Sequence, residues 1–472
     1  MTHNLWQYRI AGAASGLMLA AGNFFGPLCV LQLAAFAPVM ILYARDRKIG
    51  EAALAGLYMG LAFTLPQMIY LRMPVPVTTA LLVEFTLILI MLCVAACLCT
   101  QKRTILGCLA FGAVWFLLDW LNYTAVPIWG MAQTFARGWT SYPLVIGFIS
   151  ITGISGVLFF IGIIQAFAVQ AIVDKDFRDV YIGMILAIIM LIGIADILPL
   201  QEKPTGSIRV AAAGWIFDDR KKTDDPHSEK GFQKLFASPA QKAAENGAVI
   251  FTTGEMGFYI ADHDRTEWMS RFAEVAQRNN LFLIIGYFNI TADENRVFFM
   301  NSQGNIEAEY TKTHLTPYEP GKKGNGNLQT IDVDNVKVGA MICQDDNFSP
   351  LTRYYGRTKT PLIVCPTADW QTIKEAHLQA VRARAIECRY GIARGAANGI
   401  SAIISPNGQV LAQWDHYAKG PGWVIADVPL YQDIACFARL GYAPTAFIAA
   451  GVIVVFFLRC RPFTYRSRRA AF

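Results

Sequence analysis

The chain has 472 residues, 54% of them hydrophobic and only 16% charged, with a formal net charge of +6. Soluble proteins carry roughly a quarter charged residues, so this composition excludes an ordinary soluble protein and requires a large membrane part. The positive excess lies in short loops and the C-terminal tail, which points to anionic lipid headgroups and topology rather than to nucleic acid. Ten cysteines form no C-x-x-C pair and no paired spacing with histidine, so neither a disulfide framework nor a zinc site is indicated.

Eight apolar segments are expected to span a bilayer: Ile10–Asn23, Pro27–Ala44, Ala52–Leu71, Val77–Thr100, Thr104–Leu121, Ile151–Val173, Tyr181–Pro199 and Ala443–Leu458. Most approach the roughly 20 residues a crossing needs. The first is separated from the second by Gly22-Asn-Phe-Phe-Gly-Pro27, which predicts a tight hairpin or an interrupted pair. No small-residue cleavage site followed by a soluble domain appears after it, which argues against a signal peptide. Basic residues at Arg9, Arg45-Asp-Arg-Lys48, Gln101-Lys-Arg103, Asp174-Lys-Asp-Phe-Arg178 and the tail (Arg459, Arg461, Arg466, Arg468, Arg469) fall at alternate ends of the spans. The positive-inside rule makes those ends cytoplasmic, so both termini are inside and the polar insert after the seventh span is outside. Glu84, Asp119 and Asp196 lie in or near spans. An intramembrane carboxylate is a functional candidate by default, although an interfacial position for the two aspartates and pairing within the bundle for Glu84 also account for them. The outer loop Pro127–Trp139 sets aromatics beside Arg137, as suits a segment at the lipid interface.

From Ser207 the texture changes to short β-rich runs alternating with amphipathic helices. Strands are predicted at Ile208–Ala213, Ala248–Thr252, Leu281–Tyr287, Arg296–Asn301, Ile306–Lys312, Lys337–Cys343, Leu362–Pro366, Ile400–Ser405 and Trp423–Val428. Helices are predicted at His227–Glu245, Thr266–Asn279 and Ile373–Arg389, with hairpin turns at Asn301–Gly304 and Ser405–Gly408. This interleaving suits one α/β domain, giving a chain of three parts: membrane region 1–200, α/β domain 201–440, and final span with basic tail 441–472.

Three strand ends carry reactive side chains: Glu255, Lys312 and Cys343. Functional groups converge at such ends from a rigid base. A thiol is mostly protonated at neutral pH and needs a base. A partly desolvated Glu255 can take that proton and return it. Lys312 would favour the thiolate and stabilise an oxyanion, with the N–H of Gln344 as second donor. Of the histidines, only His314 and His377 lie in segments expected to face the site, and neither shows an acidic orienter in the sequence.

Glu, Lys and Cys in this order resemble the triad of the nitrilase, or carbon-nitrogen hydrolase, superfamily. The membrane part narrows the resemblance to its apolipoprotein N-acyltransferase branch. Phe24-Phe-Gly-Pro27, Gly56–Tyr70, Trp115–Trp120, Gly153–Phe159, Tyr310–Glu319, Arg384–Glu387, Ala397–Ile403 and Phe437–Gly441 are similar to segments of that family. The chain departs from the family pattern at Thr253-Gly254, Pro317-Tyr-Glu319, Cys343-Gln-Asp345 and Ala211-Ala-Ala-Gly-Trp215. The resemblance implies an α-β-β-α sandwich on the extracytoplasmic face of an inner membrane. It implies Glu255 as base, Lys312 as its cationic partner, Cys343 as nucleophile and Glu319 in support. It further implies a phospholipid acyl donor, a Cys343 thioester, and the free α-amine of a diacylglyceryl-modified apolipoprotein as acceptor, with no metal or organic cofactor. The alternatives are a membrane-tethered amidase or nitrilase that uses water as acceptor, and a non-catalytic scaffold with the same fold.

Overall fold

The computed structural model describes residues 5–45, 48–100, 104–200, 203–216 and 225–460. Among them, six helical stretches are long and apolar enough to cross a bilayer: Gly26–Ala44, Ile49–Leu71, Val75–Thr100, Ile105–Ala125, Gly156–Val173 and Arg178–Ile197. The other two expected spans are helices that fall short of that measure, Leu5–Phe24 and Ala443–Cys460. The first packs on Ile49–Leu71 with almost no gap, since a Cβ on Gly12 would meet the Ala55 carbonyl at 2.2 Å. Small residues allow such backbone approach where lipid offers no hydrophobic drive. The expected interruption is present: the helix stops at Phe24, a 3₁₀ stretch runs Gly26–Leu33, and an α-helix resumes at Ala37–Arg45. Asp46, Arg47, Gln101–Arg103 and the tail from Arg461, which carry much of the charge pattern, lie outside the described residues.

The intramembrane carboxylates hold the loop that follows Ile105–Ala125. Asp119 is fully buried, and accepts from Ser155 Oγ at 2.6 Å, Thr134 Oγ1 at 2.8 Å and the Phe135 N–H at 2.8 Å. Asp196, also buried, accepts from the Phe148 N–H at 2.8 Å, and Glu84 from Gln133 Nε2 at 3.3 Å. Buried polar groups need such partners, so these three fasten residues 133–155 across the top of the bundle.

The polar insert forms two stacked sheets. One runs, in spatial order, Gly422–Leu430, Gly206–Gly214, Ile250–Thr252, Phe282–Asn289, Glu294–Met300 and Ile306–Thr311, with Phe258–Ile260 alongside Phe282–Asn289. The other runs Val410–Asp415, Ile400–Ile404, Gly391–Arg394, Leu362–Val364, Val336–Ala340 and Thr330–Val333. Alternation along the strands sorts the faces. Val210, Ala212, Ile250 and Ile284 join the core shared with the second sheet, while Ala211, Ala213, Phe251 and Leu283 face Phe236 and Phe272 of the outer helices. Those helices are the continuous segment 229–245 and Arg265–Asn279. Ser349–Arg357 and Lys374–Cys388 pack on the second sheet, which completes the α-β-β-α order. The expected hairpin turns are present, with Gly304 at φ +81° and Gly408 at φ +77°. The short strands Phe258–Ile260, Thr330–Val333, Gly391–Arg394 and Val410–Asp415 and the helix Ser349–Arg357 escaped the sequence reading, because brief or half-polar runs give little periodicity.

Candidate active site

The three reactive side chains sit just beyond their strands rather than on them. Glu255 follows Ile250–Thr252 by three residues, and Lys312 follows Ile306–Thr311 directly. Cys343 lies past Val336–Ala340, as first residue of a short 3₁₀ turn, Cys343–Asn347. Its φ is +47°, unusual for a residue with a Cβ, and its N–H is held by the Pro366 carbonyl at 2.9 Å. A strained backbone of this kind persists only where neighbours over-determine it, and it sets the thiol on the tip of the bend.

Lys312 Nζ donates to Glu255 Oε1 at 2.6 Å and to both oxygens of Glu319 at 2.7 and 2.8 Å. Glu255 and Lys312 are buried, Lys312 to 1% exposure, and the Glu319 side chain is 9% exposed. Asn295 Nδ2 donates to Glu255 at 2.6 Å, and its carbonyl accepts the Lys312 N–H at 2.9 Å. Thr316 closes the ring by donating its N–H to Glu319 Oε2 at 2.8 Å. The Cys343 thiol donates to the Ala368 carbonyl at 3.7 Å and lies close enough to Glu255 for the two charges to act on each other. Sequence reading missed Asn295, because an asparagine inside a strand reads as an edge residue until its partners are known.

With one ammonium between two carboxylates, the cluster carries a net negative charge beside the thiol. Burial pushes the Glu255 carboxyl up, and the Lys312 charge only partly offsets that. Burial pulls the Lys312 ammonium down, but the charges of Glu255, Cys343 and Glu319 outweigh it and raise its pKa. Burial and the Glu255 charge together hold the Cys343 thiol well above its usual range, against the pull of Lys312. The thiol is therefore held protonated at rest, with the Glu255 carboxyl and the Lys312 ammonium beside it.

Asp345, next but one after the cysteine, is fully buried. It accepts from Tyr310 Oη at 2.8 Å and from the His314 N–H at 2.8 Å, and so ties the Lys312 loop to the Cys343 turn. His314 stacks on Phe348 with ring centroids 3.7 Å apart and serves this loop. Both histidines correct the expectation of no acidic orienter: His314 Nδ1 lies 3.1 Å from Asp345 Oδ1, and two aspartates flank His377. His377 Nδ1 lies 2.6 Å from Asp369 Oδ1 and its Nε2 3.2 Å from Asp346 Oδ1. Those partners come from other turns, one eight and one 31 residues away, so no local pattern announces them. Burial lowers the imidazole pKa, but Asp346 and Asp369 outweigh that and raise it to about 9. Both ring nitrogens therefore donate, and His377 is a fixed cation rather than a free base. Donor atoms of Cys343, Asp369 and His377 lie within 4.8 Å of one another, a spacing a metal ion could use. Arg394 Nη2 already stands 2.6 Å from Asp369 and 3.2 Å from His377 Nδ1, so a second cation there meets a guanidinium. The nine cysteines whose side chains are described are free thiols.

These groups open into a cavity of about 370 Å³ that belongs to both halves of the chain. Glu255, Lys312, Cys343 and His377 line one side, and Met68, Leu71, Leu81 and Phe85 of two membrane helices line the other. The halves are fastened around it. Trp370 Nε1 donates to the Leu71 carbonyl at 3.2 Å, Gln344 Nε2 to the Ile128 carbonyl at 3.3 Å, and the Ile154 N–H to Glu387 Oε1 at 2.7 Å. Arg384, fully buried, donates to the carbonyls of Asp346 and Asn347 at 2.8 and 2.9 Å and braces the Cys343 turn.

A sandwich of this topology with a buried Cys, Glu and Lys, docked on membrane helices, defines a membrane-bound protein of the nitrilase superfamily. A carbon-nitrogen hydrolase family model matches residues 224–433, and an apolipoprotein N-acyltransferase N-terminal domain model matches residues 15–167. The chain is 26% identical to the deaminated glutathione amidase of Mus musculus over 249 residues, 44% of this chain and 76% of that one. It is 24% identical to the apolipoprotein N-acyltransferase of Geobacter metallireducens over 351 residues, 66% of each chain. Among solved structures, an amidase from Nesterenkonia sp. is 19% identical with a TM-score of 0.41, covering 48% of this chain and 91% of that one. The chain belongs to the apolipoprotein N-acyltransferase family, and is a multi-pass membrane acyltransferase of the nitrilase superfamily.

Proposed function

We propose that Cys343, Glu255 and Lys312 carry out apolipoprotein N-acylation in two half-reactions on the extracytoplasmic face of the inner membrane. In the first, Cys343 Sγ attacks the ester carbonyl of a phospholipid while Glu255 takes the thiol proton. Net charge in the cluster is conserved: the carboxylate is neutralised as the oxyanion forms, and the Lys312 ammonium turns from the one to the other. The Gln344 N–H, in the first turn of a short helix and so without an intrahelical acceptor, supplies the second donor. Collapse of the intermediate expels the lysophospholipid oxygen, which takes the proton from Glu255 and leaves the acyl chain as a thioester. In the second half-reaction, the neutral α-amine of a diacylglyceryl-modified cysteine attacks that thioester. Glu255 accepts a proton from the nitrogen and returns it to the departing sulfur, which gives the amide and the free thiol.

The observation that carries this reading is the shared cavity, with polar catalytic groups on one wall and side chains of membrane helices on the other. A water-soluble amide needs no such wall; an acyl chain does. Two lipid-anchored substrates also gain effective concentration from a site held at the bilayer. Full-length Cys343→Ala protein in detergent should form no thioester with radiolabelled phospholipid, and labelling at the wild-type level would end the proposal. Complementation of a strain without its own N-acyltransferase, read by mass spectrometry of a lipoprotein N-terminus, tests the second half-reaction. Hydrolysis of a small soluble amide as fast as transfer to a lipoprotein would instead favour the amidase reading.

A further inference from the structure

Acyl-transfer chemistry leaves one charge in the cavity unused. Among the described residues, the cations lining the cavity are Lys312, His377 and Arg137. Lys312 is saturated by Glu255 and Glu319, and His377 by Asp346 and Asp369. Arg137 is different. It is only 6% exposed; its guanidinium lies 6.0 Å from the centroid of the Phe24 ring and makes one hydrogen bond among the described residues, from Nη1 to the Ala132 carbonyl at 2.7 Å. Its Nε and Nη2 are buried without any acceptor, and no carboxylate lies within ion-pair distance among the described residues. Burial pulls its pKa down only to about 10, so it remains a cation at neutral pH. Trp129 Nε1, on the same loop and lining the same cavity, is a second buried donor without a partner.

An unpaired buried charge costs several kcal/mol, and such a cost persists where a ligand removes it. The missing ligand is an anionic group with acceptor oxygens, and the surrounding wall of Leu71, Leu81, Phe85 and Met68 states what is attached to it: apolar chains. The acceptor substrate does not fit this description, since its reactive end is an amine, which offers a guanidinium no anionic oxygen. Resting on the acyl-transfer reading, we infer that Arg137, with Trp129, is the binding site for the phosphodiester of the acyl-donor phospholipid. The fork of the guanidinium matches phosphate oxygens in a way a point charge does not, and it would orient the ester carbonyl toward Cys343.

The test compares two acyl donors on full-length protein in detergent: a phospholipid, and diacylglycerol with the same chains and no phosphate. The readout is the rate of Cys343 thioester formation. In wild type the phospholipid is preferred; Arg137→Gln should lower that preference by about tenfold to a hundredfold, chiefly through KM, and Arg137→Lys should restore part of it. Thioester formation from diacylglycerol by R137Q verifies that the variant is folded. If the variant's loop is disturbed instead, binding of short-chain phosphatidylglycerol to Cys343→Ala and to the Cys343→Ala, Arg137→Gln double variant decides the matter without chemistry. Equal loss with both donors, or equal phosphatidylglycerol binding with and without Arg137, overturns the inference. Failure of the transferase reading looks different: wild type then forms no thioester from either donor, whatever stands at position 137.

Discussion

Lys312→Met gives the sharpest measure of the proposed chemistry. The substitution keeps the length and apolar stem of the side chain but removes the ammonium that sits 2.6 Å from Glu255 and 2.7 Å from Glu319. The two carboxylates are only 3% and 9% exposed, and their remaining donors are Asn295 and Thr316. The cluster would move from one net negative charge to two, which a buried site cannot hold. One proton must bind, and Glu255, already pushed up by burial and by Glu319, is where it goes. The base is then lost along with the oxyanion partner. Stability should fall by about 3–5 kcal/mol, as when one member of a buried pair is removed. Thioester formation should fall by roughly 10²–10³-fold or more, as for loss of an oxyanion donor. The assay is thermal unfolding in detergent alongside single-turnover labelling by phospholipid. The double variant Lys312→Met, Glu319→Gln restores one net negative charge, so it should recover much of the stability and none of the activity. A Lys312→Met protein that unfolds with wild type and labels at the wild-type rate would show that neither the charge count nor the catalytic role is right.

Two further outcomes follow from the same electrostatics. Glu319→Gln removes a negative charge that raises the Glu255 pKa, so the acid limb of the pH–rate profile for thioester formation should move to lower pH; an upward move would contradict the arrangement. His377 is raised from 6.5 to about 9 on folding, so its contribution, about 3 kcal/mol, is fully present below pH 6.5 and lost as pH rises through 9. The stability gap between wild type and His377→Gln, from denaturant melts at several pH values, should therefore close toward pH 9, and a gap that widens with pH would refute the imidazolium assignment.

How much could be read in advance differs by the range of the interaction. Six of the eight expected membrane segments, the α/β insert, the hairpin glycines and the places of Glu255, Lys312 and Cys343 just past strands were legible in the sequence. Hydrophobic period and turn chemistry act over a few residues, and each of the three follows a β-forming run. Asn295, Asp345, the His377 pair and Arg137 were not legible as site residues. Each acquires its meaning from partners that the chain brings in from elsewhere: Lys312 reaches Glu255 across 57 positions, and Trp370 reaches the membrane helix carbonyl of Leu71 across 299. The sequence by itself therefore determined the long helices, the longer strands and most of the membrane segments, because those preferences are local. Only the tertiary structure decided which charges are paired and which guanidinium is left over, because Coulomb interactions and burial depend on distance in space and not along the chain.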